Sequence, residues 1–156
     1  TAVSGKATLG ICLGAQAMAR GAGAENTLGS HPEFGWCQIA LTDQGRADPV
    51  LGLLPPQFPI FEWHSDHFTL PPEAVHLATN PSAQVQSYRI GRAGYATQFH
   101  FEASRAVVAD WVRRFPDLIE QQSPGFTATL IAEAEAKGRA ADAHGLAIAR
   151  AWVALI

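Results

Sequence analysis

The sequence predicts an α/β fold, and three observations point to it. A short apolar run over residues 7–11 leads into a glycine-rich turn and then into helical composition over residues 13–20, as in a strand that turns into a helix. Several more short apolar runs in the middle of the chain are typical of strands. The last third is rich in alanine and predicts helices. Strands and helices mixed in this way are typical of the α/β class.

The chain has 156 residues, which favours a single domain. Strands are predicted over residues 36–41, 59–63, 77–78, 83–90 and 95–101, with prolines marking the turns between them. Helices are predicted over residues 104–114, 127–137 and 141–156. We therefore expect one domain over residues 1–156, in which residues 1–102 form an α/β part and residues 103–156 a helical part. The order of the strands does not follow from these patterns.

Charge and composition exclude several classes of function. The formal net charge is −3, which gives no electrostatic basis for binding nucleic acid or an anionic membrane. No apolar run is long enough to span a bilayer, and no secretory leader is expected. Two cysteines are too few for a disulfide scaffold, so the reducing cytoplasm is the expected location.

The sharpest motif surrounds Cys12, which lies between Gly10 and Gly14 in the pattern G-x-C-x-G. This pattern predicts a sharp turn from a strand into a helix, with a nucleophilic side chain at the corner. We expect both glycines to be required because side chains there have no room. A cysteine at a helix N-terminus is favoured as the reactive thiolate, and the backbone N–H of Leu13 would face an oxyanion beside the sulfur. Cys37 lacks such flanks and is expected to pack within a strand.

A cysteine nucleophile usually needs a histidine base and a group that orients the histidine. His100 and Glu102 are two residues apart on a predicted strand, so their side chains share one face. A carboxylate beside an imidazole fixes its tautomer and stabilises the imidazolium. The alternative for such a pair is a structural ion pair on a half-buried strand.

A second group of polar residues contains His64, Asp66 and His67, which could be metal ligands. No further ligand lies at a suitable spacing, and the aromatic neighbours favour a packed loop or the wall of a binding site. We therefore expect no metal. Three other histidines are expected to lie on the surface, in turns or in a helix, without a direct role: His31, His76 and His144.

Three segments together resemble the class I glutamine amidotransferases, and more narrowly their GMP-synthase-like group. They are residues 10–16 (GICLGAQ), 63–66 (WHSD) and 98–102 (QFHFE), and the resemblance covers about residues 9–102. It implies an open, mostly parallel sheet flanked by helices, as in flavodoxin-like folds. It also implies a chain without a cofactor, with glutamine as substrate and a synthase partner that accepts ammonia. A homo-oligomer is a separate expectation, because a domain without its first strands would leave a surface that self-association could cover.

The resemblance implies roles for particular residues. Cys12 would attack the side-chain amide of glutamine, His100 would transfer protons, and Glu102 would orient His100. Gln16 matches the family position that contacts the substrate. The family loop that binds the amino-acid end of glutamine contains two further residues, Ser65 and Asp66.

The sequence departs from the family pattern in two places. Phe101 stands where the family usually has proline, so the constraint that a proline ring places on φ is lost. Family members also have strands, helices and an oxyanion glycine loop ahead of the cysteine turn. We therefore expect either a fragment of a longer protein or a reduced sheet covered by a partner chain. Two alternatives stay open: a γ-glutamyl peptide hydrolase with the same triad, and a truncated, inactive module with this fold.

Overall fold

The structure is a computed structural model that describes residues 5–29 and 31–156. The eight strands are β1 (Thr8–Ile11), β2 (Asn26–Thr27), β3 (Glu33–Leu41), β4 (Gln57–His64), β5 (His67–Phe68), β6 (Val75–Thr79), β7 (Ser87–Ile90) and β8 (Gly94–Thr97). The α-helices are α1 (Leu13–Gly21), α2 (Asp43–Arg46), α3 (Arg105–Arg114), α4 (Pro116–Gln122), α5 (Phe126–Glu133) and α6 (Arg139–Val153). No helix in these two ranges is long and apolar enough to cross a membrane.

Most of the predicted elements are present, with different lengths. The strand expected over residues 83–90 is confined to β7, and the strand expected over residues 95–101 ends at Thr97. The helix α4, which begins with a proline, was not predicted. The helix expected over residues 127–137 starts as α5 and continues through a π-helical turn, Ala134–Gly138, into α6.

Six strands form one sheet in the order β1-β8-β7-β6-β3-β4, and β2 pairs with β5 separately. The α/β fold with flanking helices is present, but pairing in the six-stranded sheet is mixed rather than mostly parallel. Only β1 and β8 pair in parallel, whereas the other four pairings are antiparallel. Consecutive strands joined by short connections, such as β7 and β8, can pair only in an antiparallel way.

The larger core lies between the sheet and the C-terminal helices. Aromatic rings of β3 and β4 pack edge to face around Phe126 at the start of α5. Helix α3 begins after Ser104, whose hydroxyl accepts a hydrogen bond from the Val107 N–H at 3.4 Å. On this helix Val108 and Val112 are buried and Trp111 packs against the same core, whereas Val107 is exposed.

Helix α6 lies directly against the segment that contains His100 and Glu102. A Cβ atom added to Gly145 would lie only 2.0 Å from the Phe101 carbonyl oxygen, so the absence of a side chain permits this close approach. Helix α6 thereby supports the backbone between the two polar residues.

We expect Gly145→Ala to destabilise the protein by about 1–3 kcal/mol, because the added methyl group must push α6 away from Phe101. Urea unfolding measures the change. Gly21→Ala is the matched control, since a Cβ atom at this position meets no heavy atom within 4 Å. If Gly145→Ala were as stable as Gly21→Ala, the close contact would not constrain the fold.

Candidate active site

Cys12 occupies a strained corner between β1 and α1. Its φ is 50°, and no other non-glycine residue in the described ranges has a positive φ. Such a backbone persists only where its surroundings enforce it. The Cys12 N–H donates to the Thr97 carbonyl at 2.8 Å, and its own carbonyl accepts from the Gln16 N–H at 3.1 Å. The sheet and the helix therefore hold the corner from its two sides, as the motif predicted.

The two flanking glycines differ. A Cβ atom on Gly10 would lie 2.6 Å from the Met18 sulfur and 2.7 Å from the Gly14 carbonyl oxygen, so this glycine is required by packing. A Cβ atom on Gly14 would meet nothing within 4 Å. The expectation that both positions lack room was therefore wrong for Gly14, because α1 turns this position away from β1.

His100 and Glu102 form a close pair, with His100 Nδ1 lying 2.6 Å from Glu102 Oε1. The pair lies beyond β8, where the His100 N–H donates to the Phe61 carbonyl at 2.8 Å. Strand β4 thus positions His100 through a single bridge instead of a continuous ladder. The His100 side chain is largely buried, whereas that of Glu102 is 44% exposed.

The electrostatic environment favours the protonated form of His100. Burial lowers the pKa of His100, but its interactions with the Cys12 thiol and the Glu102 carboxylate outweigh burial and raise the pKa to about 10. The protonated His100 side chain lies next to the Cys12 thiol. Chemically, this arrangement supplies a nucleophile beside a proton donor.

A cavity of about 310 Å³ opens beside Cys12. Its lining includes five site residues expected from the sequence, namely Cys12, Leu13, Gln16, Ser65 and Asp66, together with Trp63, His64 and Gln122. The backbone N–H of Leu13, as the first residue of α1, has no acceptor within the helix.

The loop between β4 and β5 forms one wall of the cavity. The Ser65 hydroxyl accepts from Gln122 Nε2 at 3.3 Å, so the end of α4 closes over the loop. The Asp66 carboxylate accepts from the Gly29 N–H at 2.8 Å. The side chains of Ser65 and Asp66 are therefore already held by protein groups. Gln122 lies in a helix that the sequence did not reveal, which explains why it was missed.

Two buried glutamines lie beside the Cys12 sulfur. Gln16 Nε2 donates to the Asp66 carbonyl and to Gln98 Oε1, each at 3.3 Å. Gln98 Nε2 in turn donates to the Cys12 sulfur at 3.6 Å. Gln98 was not among the predicted site residues, although its position two residues before His100 could have indicated a shared face.

A buried acidic cluster lies next to the corner. The Glu33 carboxylate accepts from Asn80 Nδ2 at 2.5 Å and from Gln86 Nε2 at 2.7 Å, and His64 Nε2 lies 3.2 Å from it. Glu62 is fully buried, and neither of its carboxyl oxygens has a hydrogen-bond partner. Burial, then the negative charge of Glu33, raises the pKa of Glu62 well above its ordinary value. Glu62 is therefore expected to keep its proton.

The three residues that could be metal ligands by their spacing in the sequence do not form a metal site in the structure. His64, Asp66 and His67 do not converge, because His64 Nδ1 lies against the Asp66 backbone carbonyl at 2.9 Å. Burial, with the nearby His31 and His64, lowers the pKa of His67 to about 4. Among the described residues, the group with donor atoms within 4.8 Å of one another is instead Glu33, Glu62 and His64.

Three other candidate residues, namely Cys37, His144 and His76, do not line this cavity. Cys37 lies in β3, where burial and the charges of Glu62 and Glu33 raise its pKa to about 12. His144 lies in α6, with Nδ1 3.3 Å from the Pro59 carbonyl. His76 lies in β6 and borders a larger groove of about 700 Å³, whose lining contains no cysteine or carboxylate. The smaller cavity beside Cys12 is therefore the candidate site.

Comparison with known proteins agrees with this geometry. The family model described as glutamine amidotransferase class-I matches residues 1–113. The chain belongs to this family. It shares 38% identity over 96 residues with a subunit of the glutamine-hydrolysing GMP synthase of Thermoplasma acidophilum, covering 60% of the chain and 46% of that protein. It shares 32% identity over 114 residues with the glutamine-hydrolysing GMP synthase of Aeropyrum pernix, covering 69% of the chain and 22% of that protein.

Two solved structures extend the likeness to the whole fold. A glutamine amidotransferase from Thermotoga maritima superposes with a TM-score of 0.77 and 25% identity, covering 93% of this amidotransferase-family chain and 60% of that one. Glutamine amido transferase from Methylobacillus flagellatus gives a TM-score of 0.78 at 24% identity, covering 95% and 62%, and shows the fold alone. The chain thus spans half or less of the two GMP synthase sequences and under two thirds of both structures.

We expect Glu62→Gln to stabilise the protein increasingly as the pH rises. A carboxyl with a raised folded pKa contributes stability that is fully present below its unfolded pKa of about 4.5 and is lost as the pH rises towards the folded pKa. The difference from wild type should therefore grow by about 1.4 kcal/mol per pH unit above pH 4.5.

Urea unfolding at several pH values between 4 and 8 measures this difference. Glu73→Gln is the control, because Glu73 is exposed and its replacement should give a difference that does not grow with pH. A constant difference for Glu62→Gln would mean that Glu62 is ionised in the folded protein.

Proposed function

We propose that this domain hydrolyses the side-chain amide of glutamine and releases ammonia. The observation that carries the proposal is the convergence of Cys12, at a strained corner, with the His100–Glu102 pair. Membership of the class I glutamine amidotransferase family supports the same substrate.

The proposed reaction begins with attack of the Cys12 thiolate on the amide carbon of glutamine. The carbonyl oxygen becomes an oxyanion that accepts a hydrogen bond from the Leu13 N–H, a type of donor worth about 3 kcal/mol. The His100 imidazolium donates its proton to the amide nitrogen, the C–N bond breaks, and ammonia leaves a glutamyl thioester. Glu102 keeps His100 in the required tautomer.

The second half of the reaction reverses the proton transfer. His100, now neutral, accepts a proton from a water molecule that attacks the thioester carbon. The C–S bond breaks, glutamate leaves, and the Cys12 thiolate and the imidazolium are both restored. No cofactor is required for either half. The Ser65–Asp66 loop and the end of α4 form the walls that would hold the amino-acid end of the substrate.

We further propose that the ammonia passes to a synthase partner. The relative from Thermoplasma acidophilum is named as one subunit of a glutamine-hydrolysing GMP synthase, a name that implies a second subunit. Nothing in the described residues identifies the acceptor. The partner is therefore proposed only as a protein that binds and consumes ammonia.

A glutamine-mimicking diazoketone tests the proposal. We expect one covalent adduct by intact-mass measurement, absent in Cys12→Ala and retained in Cys37→Ala, because the Cys37 thiol keeps its proton at neutral pH. We expect the protein to release ammonia from glutamine faster than it cleaves a γ-glutamyl dipeptide. The opposite preference would favour a γ-glutamyl peptide hydrolase.

The absence of an adduct has two distinct meanings. If a longer chain that extends upstream of residue 1 gives the adduct, the catalytic machinery requires residues beyond these 156. If neither chain gives the adduct, glutamine hydrolysis is wrong, and the domain has the fold without the chemistry.

A further inference from the structure

The proposed mechanism assigns no role to the buried amide of Gln98. The Gln98 side chain is completely inaccessible to solvent, and it lies between Gln16 and the Cys12 sulfur. Its backbone N–H donates to the Gln86 carbonyl at 2.8 Å, which fixes the residue at the end of β8. Gln16 is also buried, and its amide contacts the loop wall of the cavity.

The donors and acceptors in these hydrogen bonds are fixed by the backbone carbonyl at one end of the chain of contacts. The Asp66 backbone carbonyl can only accept, so Gln16 must present its NH₂ group to it. The second hydrogen of this NH₂ group then requires an acceptor, which is Gln98 Oε1. The NH₂ group of Gln98 is consequently left to face the Cys12 sulfur. Rotating either amide by 180° would place like groups together, so one orientation satisfies the whole chain.

We propose that Gln16 and Gln98 form a hydrogen-bond relay that starts at the Asp66 carbonyl and ends in an N–H donor to the Cys12 sulfur. Gln98 contacts the reacting atom and stabilises the thiolate. Gln16 is a positioning residue, which acts by fixing the orientation of the Gln98 amide. This inference deepens the proposed function and rests on it for its catalytic meaning, but the state of the thiol can be measured without turnover.

The Trp63 carbonyl and the Gln98 amide contact the same sulfur but favour different ionisation states of it. The Cys12 sulfur lies 3.7 Å from the Trp63 carbonyl oxygen, which can accept a hydrogen bond from the neutral thiol but repels a thiolate. Gln98 offers the reverse preference, because its N–H bonds more strongly to a charged sulfur than to a neutral one. Loss of the Gln98 donor therefore shifts the balance towards the neutral thiol.

Two ionisable groups also act on Cys12, and a third acts through one of them; all three must stay constant in a test. His100, beyond β8, interacts with the thiol directly and is paired with Glu102. Glu62, on β4, is electrostatically coupled to both Cys12 and His100. Replacing Gln98 by another neutral side chain adds or removes no charge beside these three groups. A change in the ionisation of Cys12 would then report the lost donor.

The test is the pH dependence of Cys12 alkylation by iodoacetamide in the full chain, followed at peptide level. Gln98→Met keeps the side-chain volume and removes the donor. A hydrogen bond to a charged group is typically worth about a factor of ten or more in an equilibrium, so we expect the apparent pKa of Cys12 to rise by about one unit. Alkylation at pH values below that pKa should slow about tenfold.

Gln16→Met separates positioning from a merely structural role. It should raise the apparent pKa of Cys12 less than Gln98→Met does, and it should have no further effect when Gln98 is already methionine. Alkylation of Cys37 in the same molecules is the internal control. Gln86→Met is the matched variant, since it removes a buried amide that bonds to Glu33 instead of Cys12.

Three results would overturn the relay. They are an unchanged profile in Gln98→Met, an equal shift in Gln86→Met, and additive shifts in the Gln16 and Gln98 double variant. If Gln98→Met did not fold, Gln16→Met alone would decide, and an unchanged profile would again reject the relay. Failure of the glutaminase proposal would give a different result. The wild-type chain would then form no diazoketone adduct, while the alkylation profile of Cys12 would still change in Gln98→Met.

Discussion

The left-handed backbone of Cys12 is the constraint on which the candidate site depends. Residues other than glycine rarely adopt a positive φ. At Cys12 this backbone conformation is held by one hydrogen bond to the sheet and one to α1. The close approach of Gly10 to the first turn of α1 makes the corner tight enough to project the sulfur into the cavity. The other side chains of the candidate site lie around that sulfur.

The parallel pair of strands explains how distant residues meet there. The register places Ile11 beside Thr97, so the next residues on each strand, Cys12 and Gln98, emerge next to each other. His100 lies two positions after Gln98 and forms an isolated antiparallel bridge with Phe61 of β4. One pairing between residues that are 86 positions apart in the chain thus brings together Cys12, Gln98 and His100.

Local signals in the sequence predicted much of this arrangement. Two glycines around a cysteine indicated the corner, and the two-residue spacing of His100 and Glu102 indicated a pair, which the structure brings within hydrogen-bond distance. The mixed pairing of the sheet, the helix α4 and the Glu33–Glu62–His64 cluster did not emerge from the sequence. They depend on contacts between segments far apart in the chain, which local patterns do not encode.

The hydrogen bond from Gln122 to Ser65 joins the helical third of the chain to the wall of the cavity. The boundary near residue 102, which separates two kinds of secondary structure, is therefore not a boundary between independent modules. Sequence changes in α4 that look remote from Cys12 would alter the shape of the cavity. The shape of the cavity beside Cys12 thus depends on a helix more than 100 positions further along the chain.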